Sequence, residues 1–157
     1  MAGLLTPSLA EDAFAMIRPQ IEAFLASQGF APNLAFAITA TAALRPADAV
    51  AGSASPFYLV AALGNKADWP ADLEALAMAK AAKSARTDRD SADLPAHYLL
   101  AGDTLAWGSV VLDDIVVACS GIKPWFDEML AMWLAATVKA LCKQRLTDLP
   151  AGTRFLD

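Results

Sequence analysis

Histidine is almost missing from this chain. His97 is the only one in 157 residues, and the cysteines are just two, Cys119 and Cys142. Each cysteine sits in an apolar segment without a partner at ligand spacing, so no zinc pattern is present and both read as buried, reduced thiols. Charge is sparse too, at 18% of residues, with a net −5 and a pI near 4.7. Without a basic excess the chain does not read as a nucleic-acid binder. Long apolar runs are lacking: the longest purely apolar helical stretch is Met129 to Ala136, far short of the ~20 residues a membrane span needs. Met1 to Pro7 has no basic start, so no signal peptide is expected and the cytoplasm is the expected compartment. No phosphate-binding loop, dinucleotide fingerprint or Gly-x-Ser-x-Gly elbow occurs. A Ser-His-Asp triad would have to use His97.

Apolar residues, by contrast, make up 57%. That excludes a disordered segment and is ample for one domain with a core of its own. A single domain over 1–157 is expected, with a folded core over 8–146 and a loosely attached tail over 147–157. Ser8-Leu9-Ala10-Glu11 reads as a capping box opening the first helix. Phe14, Ile17, Ile21 and Leu25 form its buried stripe, Pro19 should bend it near Ala15, and Gly29 should stop it. From Asn33 to Ala43 large and small residues alternate. Leu34, Phe36, Ile38 and Ala40 point one way; Ala35, Ala37, Thr39 and Thr41 point the other. With no charge on either side, this strand is covered on both faces. Arg45 to Ser55 reads as a surface loop, and Phe57 to Leu63 as a second strand.

A middle helix is expected from near Asp68, with Leu73, Ala77, Ala81 and Ala85 as a small-residue row. Lys80, Lys83 and Arg86 read as a solvated cationic cluster suited to the negative end of its dipole. Three short strands follow, at about His97–Leu100, Leu105–Leu112 and Ile115–Ser120, with Gly102-Asp103 and Asp113-Asp114 as turns. The last helix starts after Gly121 with Pro124 in its first turn. The order α-β-β-α-β-β-β-α defines an α+β domain with a five-stranded antiparallel sheet and packed helices.

The last helix is apolar over roughly two-thirds of its circumference, more than one sheet can cover. Trp125, Met129, Met132 and Trp133 are candidate interface residues, to be met by the first helix, a second copy of the chain or a ligand. Elsewhere the chemistry is thin. Asp88, Asp90 and Asp93 lack the glycine and closing glutamate of a calcium loop and read as solvated. His97 reads as an exposed strand-edge residue, with axial ligation of heme iron as its functional alternative.

Two segments carry a resemblance. Ala82-Lys83-Ser84-Ala85 resembles a signature of the GlcG/HbpS-like heme-binding family, the domain also found at the C-terminus of PduO. Val117-Ala118-Cys119-Ser120-Gly121, with Asp127 seven positions after the serine, resembles the family's last strand and the helix after it. The resemblance spans residues 8 to 145, but two glycine-rich family segments are replaced here by Ala42–Arg45 and Thr104–Ser109. It implies a profilin-like fold, self-assembly into a homodimer or larger oligomer, and a small-molecule ligand, with heme the candidate cofactor. His97, Met78, Lys83, Ser84 and Arg86 are the candidate ligand contacts. Ser84, Ser120, Gly121 and Asp127 carry over only as motif positions. A non-catalytic, self-associating binding domain is the expected function. A structural assembly protein without ligand is the alternative, and nothing supports an enzyme.

Overall fold

Thr6 opens the first regular element. Its hydroxyl accepts the Leu9 N–H at 3.1 Å, and Pro7 takes the first helical position, where proline's missing N–H costs nothing. The helix therefore begins before the expected Ser8 box. The computed structural model describes residues 3–44 and 55–156. Helix α1 spans Pro7–Gln28, runs through the exposed Pro19, and ends at Gly29, whose φ of 70° is left-handed. The expected loop Arg45 to Ser55 lies, Ser55 apart, outside the described residues.

Strands β1 (Leu34–Ala40), β2 (Leu59–Leu63), β3 (Ser109–Leu112) and β4 (Ile115–Ser120) form an antiparallel sheet in the order β2-β1-β4-β3. Helix α2 (Leu73–Thr87) covers one face; α1 and α3 (Pro124–Thr147) cover the other. The alternation along β1 is realised. Leu34, Phe36, Ile38 and Ala40 enter the core under α1 and α3, whereas Ala35 and Ala37 meet Leu73, Ala77 and Ala81 of α2. Small side chains on both partners let α2 lie close to the sheet. Asp113 and Asp114 join β3 to β4 with φ of 47° and 68°, the two left-handed residues a tight right-twisted hairpin requires.

The sheet has four strands among the described residues, and this corrects the five-stranded, profilin-like expectation. Residues 96–98 form a 3-10 turn where a strand was expected, and the next strand begins at Ser109 instead of Leu105. The reason is competition for backbone groups. Arg86 donates to the Tyr98 carbonyl at 3.1 Å, Asp103 accepts the Leu100 N–H at 2.8 Å, and Lys83 takes the carbonyls of Thr104 and Ala106. Those groups are no longer free for a ladder. The middle helix also starts later than expected: Lys66–Asp68 is a 3-10 turn, and Asp72 caps α2 through the Ala75 N–H.

The over-wide apolar face of α3 is covered largely by α1. Phe24 meets Phe126 and Trp133 edge-on, with centroids 5.3 and 5.8 Å apart, and Phe30 meets Phe126. Met129 and Met132 pack half-buried against the same core, while Trp125 is 56% exposed. Arg145 of α3 ties back to Asp12 of α1 at 2.7 Å. No helix among the described residues is long and apolar enough to cross a membrane.

Candidate functional site

Two of the three residues expected to form a solvated cationic face, Lys80 and Lys83, build the polar half of the interior. From Leu73, the buried row of α2 passes Ala77 and reaches Lys80, Ala81, Lys83 and Ser84. Lys80 and Lys83 are each 2% exposed. Lys80 Nζ donates to the Cys119 carbonyl at 2.9 Å and to Asp127 Oδ2 at 3.2 Å, joining α2 to the end of β4 and the first turn of α3. Asp127 Oδ1 accepts from the Ile122 N–H and from the Cys119 thiol. Burial pushes the Asp127 carboxyl above its ordinary value although Lys80 pulls it down, and burial beside Asp127 pushes the Cys119 thiol far up. The thiol is thus held protonated and inert. Gly108 presses on this pair: at φ 134°, a Cβ there would come 2.7 Å from Asp127 Cβ. Only glycine fits.

Next to the pair lies a chain of hydroxyls. Ser109 Oγ is 2.6 Å from Ser84 Oγ and 2.8 Å from Ser91 Oγ, and Ser91 Oγ accepts the N–H groups of Gly108 and Ser109. One helical position before Ser84, Lys83 Nζ donates to Thr104 O at 2.7 Å and Ala106 O at 3.1 Å. Burial lowers its pKa, and Asp103 partly opposes that shift. Arg86 then grips both Asp103 oxygens at 2.7 Å, and with the Leu100 N–H holds that carboxyl down at about 2.

These bonds pin residues 96–106 as a strap and leave several of its large side chains in water. Tyr98 is 39% exposed, Leu100 59% and Leu105 82%. The exposed His97 ring lies 4.8 Å from the Tyr98 ring, and the Arg89 guanidinium sits 5.2 Å from the Tyr98 centroid. Asp88, Asp90 and Asp93 line an open hollow with Arg89 and, from the β3–β4 hairpin, Val111, Asp113 and Asp114, and Asp90 accepts the Val111 N–H. Burial, and after it the charges of Asp90 and Asp93, raise the Glu128 pKa, and its Oε2 is buried without a hydrogen-bond partner among the described residues.

The candidate ligand contacts therefore separate. Lys83 and Ser84 point inward and are satisfied from within, so they do not fit a cofactor pocket. Arg86 is committed to Asp103. Met78 packs half-buried against the core under α2. His97 alone stands open beside an aromatic ring. Of the motif positions, Ser84 and Asp127 belong to the buried network, Ser120 ends β4, and Gly121, at φ 146°, packs where a Cβ would lie 2.3 Å from the Asn33 carbonyl. The strap's exposed residues at 98, 100 and 105 went unread in the sequence. A run expected to alternate as a strand hides which side chains a pinned coil turns outward. Among the described residues no group of three or more His, Cys, Asp or Glu could hold a metal ion. No protein-family model matches the chain, and no curated protein matches it significantly.

Proposed function

We propose that the chain is a non-catalytic binding domain that works as a homo-oligomer in the cytoplasm and meets its second copy through the 96–106 strap. One observation carries this reading. Tyr98, Leu100 and Leu105 stand in water on a backbone tied down by Lys83 and Arg86, so they cannot fold inward to hide. Large apolar groups held rigid in solvent are typical anchors of a protein contact. Charge favours a copy of the same chain as the occupant. Arg89, stacked on the Tyr98 ring of the strap, lies among Asp88, Asp90 and Asp93, so a twofold apposition of this face on itself sets opposite signs against each other. The test is the mass of the assembly in light scattering or native mass spectrometry. The wild type is expected to be a dimer or larger, and Leu100→Asp and Leu105→Asp monomers. A monodisperse wild-type monomer overturns the reading.

A second reading concerns a planar ligand such as heme. Its support is the His97 imidazole, open to solvent against the Tyr98 ring with a cation beside it, since one imidazole suffices as an axial ligand. The resemblance to the GlcG/HbpS-like proteins points the same way. Titration with hemin should give a Soret band that His97→Ala removes, and a flat spectrum counts against it.

A further inference from the structure

We infer that Lys83 is the positioning residue of the binding face: its ammonium, by capturing the carbonyls of Thr104 and Ala106, sets the strap in the conformation that turns Leu105 outward. The consequence for assembly rests on the strap being the contact face, while the effect on the strap itself does not. Leu105 lies between the two captured carbonyls. Tying down its neighbour on each side leaves its side chain no inward path, and it is the most exposed of the strap's large apolar residues. The anchor is rigid in turn. Lys83 sits on the buried row of α2, one helical turn beyond Lys80, whose ammonium is fixed to β4 and α3. Its own carbonyl accepts from Thr87 Oγ1 in the last turn of the helix. Within the strap, the other ties are local or come from Arg86: Asp103 to the Leu100 N–H, Thr104 Oγ1 to the Ala106 N–H, and Arg86 to the Tyr98 carbonyl. None of them reaches the two carbonyls that flank Leu105.

The experiment compares Lys83→Met, which keeps the stem and loses the donors, with Lys83→Arg, which keeps donors and charge. Two quantities are read: amide exchange of residues 98–107, and the self-association constant. In Lys83→Met the strap amides should exchange about tenfold faster or more, as expected where a charged hydrogen bond is lost, with amides of α1, α3 and β1 unchanged. Association should weaken by a similar factor, and Lys83→Arg should restore both. With exchange read throughout on protein diluted to the monomer, Leu105→Ser serves as the contrast, weakening association while leaving strap exchange at the wild-type rate. Unchanged strap exchange in Lys83→Met overturns the inference. So does uniform loosening or unfolding of that variant, which would make Lys83 a support of the whole domain. If the wild type is monomeric but the exchange pattern holds, the self-association reading fails and the positioning role stands.

Discussion

Under α1 and α3 the sheet presents Leu34, Phe36, Ile38, Val110 and Val117; under α2 it presents Ala35, Ala37, Val116 and Ala118. The first face is filled by large side chains and aromatic edges, as in Phe14 against Phe36 at 5.6 Å. The second is filled by methyl groups and, toward the end of α2, by two lysines, three serines and an aspartate wired to backbone carbonyls and one another. The difference teaches where function can reside. The large-residue face is held by non-directional burial and can be repacked. The polar one is directional, and it alone fixes the path of a long irregular segment over the protein surface.

The sharpest way to break the comparison is to damage each face in kind. Phe36→Ala empties the larger core and should cost about 3–5 kcal/mol in urea unfolding. The strap should keep its native exchange pattern until the domain unfolds globally. Lys80→Met strikes the other face. It leaves the Asp127 carboxylate buried without its counter-charge, at a cost of about 3 kcal/mol near neutral pH. Burial already raises the folded pKa of Asp127, and removal of the lysine raises it further. A raised carboxyl pKa means that stability is fullest below the unfolded value and falls as pH climbs through the folded one. The deficit of Lys80→Met should therefore shrink on acidification, and Lys80→Met/Asp127→Leu should recover most of it. The smallest effect belongs to the strap surface. The Asp103 carboxyl should titrate near 2 by NMR, and Arg86→Met should return it toward 3.8. Since Asp103 is depressed, its contribution is present above 3.8 and lost as pH falls toward 2.

Much of the fold was legible because it rests on periodicity. Leu34 to Ala40 named both faces of the central strand, Gly29 and Pro124 marked a helix end and a helix start, and Asp113-Asp114 marked a hairpin. The site was not, because lysine is expected in water. A row that reads Leu73, Ala77, Lys80, Ser84 is continuous at helical spacing, so the signal existed; residue type argued against position, and position won. The fifth strand failed for a related reason. The pattern of 97–100 suits a strand, but pairing needs free backbone groups, and side chains of Arg86 and Asp103 had taken them.

The unequal size of the residues on β1 also polices how this protein assembles itself. Sliding that segment by one place against its neighbours would thrust the phenyl ring of Phe36 into a gap sized for Ala35 or Ala37, and leave a void where the ring belonged. A slip by one place is thus opposed by the shapes of the side chains themselves, without any charge or disulfide to dictate the alignment.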